Sequence, residues 1–295
     1  MDAADLRVFQ CVASCGSMNK AALELNTVQS NVTARIKALE DELGFELFER
    51  TNRGVTLTAA GRRLLPFASR AARVLDDARR AVADQGSPAG PLVIGSLETT
   101  AALRLSPVLT EFATTYPAVD FTLRTGTSRE LIDQVLDHTL EGAYVCGPVN
   151  HPDLLVEPFV REELVLLTAP SVANFDTLAA TPELKIIVLR IGCSYRLHLE
   201  ALLARRGIVG VRCLEFGTLE AIFSCVSAGL GVTLLPKALL GSVWDHRRVG
   251  VHTLPNAEKW VDTVFIRHRE AYASSALRAF LDLAKPATAR ATAAE

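Results

Sequence analysis

Four short runs place hydroxyl or thiol side chains where a β-rich run gives way to a helical pattern. Thr99-Thr100 follow LVIGSLE (92–98) and Thr127-Ser128 follow VDFTLRTG (119–126). Cys193-Ser194-Tyr195 follow KIIVLRIG (185–192), and Phe216-Gly217-Thr218 close RCLEFGT (212–218). Cys146 closes a fifth strand-like run, GAYVCG (142–147). A helix start offers unpaired backbone N–H groups and the positive end of the peptide dipole, which suits an anion such as a carboxylate. Taken singly, a Ser or Thr at such a junction is an ordinary N-cap. Taken together they are more informative, because ligands of open α/β sheets gather at the carboxyl ends of the strands. The candidate ligand-binding set is therefore Thr99, Thr100, Thr127, Ser128, Cys146, Cys193, Ser194, Tyr195, Phe216, Gly217 and Thr218. Arg129 and Arg196 stand close enough in sequence to add charge.

A second chemistry is suggested by TVQSNVTARIKALEDELG, residues 27–44. Val28, Val32, Ile36, Leu39 and Leu43 recur at helical spacing and form one apolar stripe. Opposite it fall Ser30, Ala34 and Lys37, with Thr33 beside them and Gln29 and Asn31 near the helix start. Arg35 lies on the flank of the stripe. Short polar side chains on a helix suit base edges and phosphates in the DNA major groove. A plain surface helix carries the same residue types, so the surrounding elements must decide. ELFER and GVTLT flank Asn52-Arg53-Gly54, a turn signal between two short strands. Arg53 at the tip of such a wing suits a narrow minor groove, and Arg50 precedes it.

The elements that position these groups follow from periodicity. Leu6, Phe9, Val12 and Ala13 predict a first helix ending near Cys15-Gly16. Ser17 caps a second, with Ala21, Ala22 and Leu25 inward. Two short helices joined by a tight turn, the later one polar on its free face, are the helix-turn-helix pattern. Thr58 caps a long helix to about Gln85, interrupted only by Pro66. Leu64, Phe67, Ala71, Val74, Ala78 and Ala81 repeat along it by threes and fours, a seam suited to dimerisation. Gly86-Ser87-Pro88-Ala89-Gly90-Pro91 reads as a linker. Beyond it strands are expected at 92–98, 119–126, 142–147, 163–169, 185–192, 212–218, 232–236 and 262–268, with helices at 100–116, 128–140, 194–206 and 219–229. A last helix ends at about Lys285, and the tail PATARATAAE is expected to be disordered. Alternating strands and helices imply a parallel or mixed sheet covered on both faces.

The 295 residues are 49% hydrophobic and 22% charged, which describes a globular chain of two or three units. No apolar run approaches the roughly 20 residues of a membrane span, and MDAADLRVFQ lacks the basic start of a signal peptide; a cytoplasmic location is expected. The formal net charge is −2. Residues 1–90 hold 12 Lys and Arg against 11 Asp and Glu, so any DNA-binding charge must be gathered on one surface. The six cysteines include no CxxC pair and no Cys/His cluster with zinc spacing. No Ser/His/Asp or Cys/His arrangement is recognisable, so neither an enzyme nor a bound metal or cofactor is expected.

Residues 1–65 resemble the N-terminal domain of the LysR-type transcriptional regulators. The matching residues are Leu6, Phe9, Gly16-Ser17, Ala21-Ala22, Leu25, Gln29, Val32, Ile36, Leu39-Glu40, Leu43-Gly44, Leu47-Phe48-Glu49-Arg50, Leu57-Thr58 and Ala60-Gly61. SLETT (96–100), EGAYVCGPV (141–149), GCSYRLHLE (192–200) and EFGTLEAIFSCVSAGLGVTLLP (215–236) resemble a smaller branch of that family. The resemblance implies a mainly α winged helix-turn-helix (1–58), a linker and dimerisation helix (59–86), a hinge (87–91) and an effector domain (92–295). That last domain would be α/β, two-lobed and like a type 2 periplasmic binding protein, with lobe I at about 92–162 and 265–286 and lobe II at about 163–264. It further implies binding of double-stranded DNA through Gln29, Ser30, Asn31, Thr33, Arg35, Lys37, Arg50 and Arg53. A small-molecule effector between the lobes and a homodimer, in turn a homotetramer, complete what the resemblance implies; it supplies no ligand, and the hydroxyl-bearing helix starts make a small carboxylate-bearing metabolite the expected effector. The chain departs from the family where many members have Ser-Gln-Pro and then Ser-Arg. Here Val28-Gln29-Ser30 and Thr33-Ala34-Arg35 stand instead, so operator details do not carry over. Two other readings are a DNA binder switched by oxidation of Cys193 with Cys213 or Cys225, and a small-molecule binding protein without DNA function.

Overall fold

The computed structural model describes the chain except residues 52–53, 175–177, 179–183, 191, 242–243 and 293–295; the side chains of 50, 51, 246 and 286–292 are also outside the description. The described chain divides into two compact units, Met1–Gln85 and Gly86–Glu295.

In the first unit, α1 (Ala3–Cys15) starts at Asp2, whose carboxylate accepts from the Asp5 N–H while Asp5 accepts from the Asp2 N–H. It ends at Gly16 in the left-handed region. α2 (Met18–Glu24) is capped by Ser17 and α3 (Gln29–Leu43) ends at Gly44. Phe9, Val12, Ala21, Ala22, Val32, Ile36 and Leu39 form their shared core. Val28 departs from the expected stripe, being 65% exposed. It is the N-cap of α3, with extended backbone, so its side chain does not follow the helical spacing. β1 (Phe48–Thr51) and β2 (Gly54–Leu57) pair antiparallel as the expected wing. The wing tip, Asn52-Arg53, lies outside the described residues.

α4 (Ala59–Ala83) begins at Thr58, whose hydroxyl accepts from the Gly61 N–H and donates to the Glu46 carbonyl. It continues through Pro66. The seam leaves Phe67 70% and Val74 60% exposed, and Val82 nearby is 88% exposed.

The second unit is built on a mixed sheet. β3 (Gly90–Ser96) runs parallel to β4 (Val119–Thr125) and β5 (Gly142–Cys146). β6 (Leu154–Thr168) and β11 (Trp260–His268) pair antiparallel along their length, and β11 also pairs with β5. The strand order is β10-β6-β11-β5-β3-β4, where β10 is Gly250–Thr253, and β9 (Thr233–Pro236) joins the far end of β6. β7 (Lys185–Leu189) and β8 (Arg212–Phe216) form a separate parallel pair, bridged to the β9 segment at Ile186 and Val232. β6 begins at Leu154, well before the strand expected from residue 163, and β10 has no counterpart among the expected strands.

Around these strands lie a helical turn α5 (Glu98–Thr100) running into a π-helical turn (Ala101–Leu105), then α6 (Ser106–Thr115) and α7 (Ser128–Leu136). α8 (Ser194–Ala204), α9 (Leu219–Ser227) and α10 (Ser275–Thr292) follow. α10 extends past Lys285, into the tail expected to be disordered; the last three residues lie outside the description. One core gathers Leu92, Ile94, Phe112, Tyr144, Phe265 and Phe280. The other is larger and includes Leu164 to Leu167, Ile187, Leu199, Phe223 and Val226. Among the described residues no helix is long and apolar enough to cross a membrane.

Candidate functional site

On α3, burial of Val32, Ile36 and Leu39 turns the opposite side outward. Gln29, Ser30, Asn31, Ala34 and Lys37 are exposed and Thr33 is half-buried. The polar groups are held by short-range bonds: Gln29 Nε2 donates to Thr33 Oγ1 at 2.8 Å, and Asn31 Nδ2 donates to Thr27 Oγ1 at 3.0 Å. Arg35 points elsewhere. Its guanidinium donates to Asp5 at 3.0 Å and lies 4.0 Å from Asp2, which ties α3 to the start of α1. Arg50 sits on β1 with its side chain outside the description, and Arg53 lies outside the described residues altogether.

The second unit contains a cavity of about 490 Å³ of atom-free space, its open mouth included. Thr99, Thr127, Cys146, Cys193, Ser194, Tyr195 and Gly217 line it. Strand ends from distant parts of the chain therefore converge as the junction argument expects. Ser128 stands just behind the wall, where its hydroxyl accepts from the Cys146 N–H and from Ser194 Oγ, both at 3.1 Å. Thr100 is buried, Phe216 is half-buried against the larger core, and neither lines the cavity. Thr218 is exposed and caps α9 by accepting from the Ala221 N–H. Arg196 is engaged by Glu200 at 2.9 Å and Glu215 at 2.6 Å.

The lining also includes Leu97, Glu98, Thr125, Gly126, Leu189 and Arg190, none of which is among the expected residues. All of them lie within about one helical turn, in sequence, of a junction residue. Thr125 carries a hydroxyl but precedes its junction on the strand, and the charged Glu98 and Arg190 are not hydroxyl or thiol residues.

Four helices start near this cavity, and they differ; the single turn α5 starts at Leu97 with no side-chain cap. α7 is closed by its own capping box: Thr127 accepts from the Glu130 N–H, and Glu130 accepts from the Thr127 N–H at 2.9 Å. That backbone bond holds the Glu130 carboxyl below the usual carboxylate range. α9 is closed by Thr218. α8 starts at Cys193 with no side-chain cap, and Cys193, Ser194 and Tyr195 all line the cavity. Gly192, with φ +96°, permits the approach to α7, since a Cβ there would stand 2.8 Å from Thr127 Oγ1. Tyr195 is buried, and its hydroxyl meets that of Thr99 at 3.1 Å.

The thiols are held protonated. Burial pushes Cys146 up to about 11 and also raises Cys193. In the first unit, Cys11 and Cys15 lie one turn apart on α1 and meet Glu24, with their ligand-type atoms within 4.8 Å. Burial pushes Cys11 up to about 12, and donation to the Glu24 carboxylate at 2.9 Å raises Cys15.

Comparison with known proteins places this geometry. Residues 3–62 match the bacterial regulatory helix-turn-helix protein, lysR family, and residues 85–289 match the LysR substrate binding domain. The chain is 42% identical over 276 residues to the HTH-type transcriptional regulator GltR of Bacillus subtilis, covering 94% of this chain and 93% of that protein. It is 40% identical over 281 residues to the HTH-type transcriptional regulator CzcR of Bacillus cereus, covering 95% and 96%. A full-length OxyR variant from Pseudomonas aeruginosa shares the fold with TM-score 0.68 at 20% identity, covering 98% and 94%. Full-length CbnR complexed with its target DNA does so with TM-score 0.63 at 24% identity, covering 97% and 100%. The family and these relatives are regulators rather than enzymes. The chain belongs to the LysR family: it is a transcriptional regulator with an N-terminal helix-turn-helix and a two-lobed α/β effector-binding domain.

Proposed function

We propose that this regulator works in the cytoplasm, binds double-stranded DNA through the exposed side of α3, and responds to a small carboxylate held in the cavity of residues 86–295. The observation that carries the effector class is the meeting of Arg190 and the uncapped start of α8 at one cavity. A guanidinium and helix-start N–H groups, two of which face the Cys193 thiol, both favour a carboxylate. The capped starts of α7 and α9 offer no such vacancy.

On the DNA side, Gln29, Ser30, Asn31, Thr33 and Lys37 contact base edges or phosphates, and Arg50 and Arg53 contact the duplex from the wing. Arg35 acts by holding α3 against α1 through Asp5. The exposed Phe67, Val74 and Val82 on α4 support a dimer through that helix; the family resemblance adds a tetramer. Effector binding changes the spacing or angle of the DNA-binding units by favouring one of two states.

Thermal melting of the full chain against a panel of small mono- and dicarboxylates tests the effector reading. The expected result is a saturable rise, worth about 2.7 kcal/mol at 100 times the Kd, that Arg190→Ala diminishes. A panel with no responsive carboxylate, or a response untouched in Arg190→Ala, overturns it.

A further inference from the structure

The cavity wall carries two charges of opposite sign. Arg190 is one, and Glu98, at the start of α5, is the other. Several acids elsewhere in the same unit hold donors: Glu130 takes the Thr127 N–H, Glu162 takes Arg104 at 2.9 Å, and Glu163 takes Lys237 and Lys259, whereas half-buried Glu157 has no such partner among the described residues but does not line the cavity. Glu98 is half-buried, and its carboxylate has no hydrogen bond or ion pair among the described residues. A carboxylate in a cavity wall without a donor of its own can accept a charge-assisted hydrogen bond from a cation placed there.

We propose that the effector is an amino acid, with its carboxylate at Arg190 and its ammonium at Glu98. This rests on the carboxylate reading above and adds the second charge. A ligand with the carboxylate alone leaves Glu98 unpaired beside it. An amine alone leaves Arg190 with only the electrostatic pull of Glu130. The zwitterion matches both, so Glu98 acts as the specificity residue that separates amino acids from the plain carboxylates of the same size.

The test is melting and calorimetric titration of the full chain with matched pairs. L-alanine is set against propionate, L-leucine against 4-methylpentanoate, L-glutamate against glutarate, and 6-aminohexanoate against hexanoate. The last pair asks for a wider separation of charges. At least one amino member is expected to bind on the order of tenfold more tightly than its partner, the scale of one charge-assisted hydrogen bond. Glu98→Gln is expected to erase that preference, with the plain carboxylate binding no less tightly than before. Equal affinity within every pair that binds, or a preference that survives in Glu98→Gln, overturns the amino acid assignment and leaves the carboxylate reading standing. Binding of no member of any pair overturns both. Where Glu98→Gln fails to fold, Glu98→Asp takes its place and is expected to weaken the preference, and the wild-type comparison by itself still decides between an amino acid and a plain carboxylate.

Discussion

On α3, Gln29, Ser30, Asn31 and Lys37 stand in solvent, and the two hydrogen bonds on this face, Gln29 to Thr33 and Asn31 to Thr27, each join side chains four residues apart. Around the cavity, Thr99, Thr127 and Ser128 are buried, and two of their bonds cross long stretches of chain: Thr99 meets Tyr195 and Ser128 meets Ser194. The residue types are alike, yet water is the alternative partner in one place and nothing is in the other. Removing an exposed polar group therefore costs what it contributes to a bound partner and little else. Removing a buried hydroxyl strands its mate, so stability falls before any binding is measured. The first region works by presentation from a helix that the core holds still. The second works by preorganisation, with most of its own polar groups already answered and Arg190, Glu98 and the starts of α5 and α8 left to meet a guest.

Three changes break or sharpen that contrast. The largest effect is expected beneath α3 rather than on it. Ile36 is enclosed, and Ile36→Ala removes three carbons from the small core shared by α1, α2 and α3. The cost is about 2–5 kcal/mol, read as a lowered melting temperature, with specific and nonspecific DNA retention falling together. An unchanged melt would mean that the polar face is not positioned by this core. Next come Gln29→Ala and Thr33→Ala. Each is expected to lower specific DNA binding by about 1–3 kcal/mol while stability stays within about 0.5 kcal/mol of the parent. Since Gln29 donates to Thr33, the double variant is expected to lose less than the two losses added. A constant ratio of specific to nonspecific binding in competition titrations would remove these residues from base reading.

How far each region was readable from the chain follows from how locally it is built. The helix-turn-helix was legible because Ser17, Thr58 and the glycines at 16 and 44 mark helix ends, and Val32, Ile36 and Leu39 repeat at helical spacing. The slip at Val28 came from extending that spacing one position past the helix start. In the second unit the strands with unbroken apolar runs were plain, but the first half of β6 was not. LLVEPFVRE is broken by Glu157, Pro158, Arg161 and Glu162, and only its pairing with β11 makes it a strand. β10 is four residues long and is defined by β6 alone. The cavity was half legible. Strand ends announce themselves locally, so seven of the lining residues could be named. Which hydroxyls face the cavity, and which merely cap a helix as Thr218 does, depends on how β6 and β11 bring residues 97–99 and 189–195 together. No local pattern carries that. Glu98 was passed over for the same reason, since a lone acid beside two threonines looks like any first-turn helix residue.

The smallest and most discriminating change is Tyr195→Phe. The ring stays and the cavity keeps its shape, while one buried hydroxyl is lost. Thr99 Oγ1 is then left without its partner at a position that is 2% exposed. About 1 kcal/mol of stability should go with it, the ordinary net value of a buried hydrogen bond. Adding Thr99→Val removes the stranded hydroxyl in a nearly unchanged volume, so the double variant is expected to recover most of the loss. No such recovery is expected on α3, where Gln29 and Thr33 each fall back on water. A Tyr195→Phe protein that melts like its parent would mean that water reaches the Thr99 hydroxyl. The cavity would then be as wet as the helix face, and the distinction between a presented site and a preorganised one would fail.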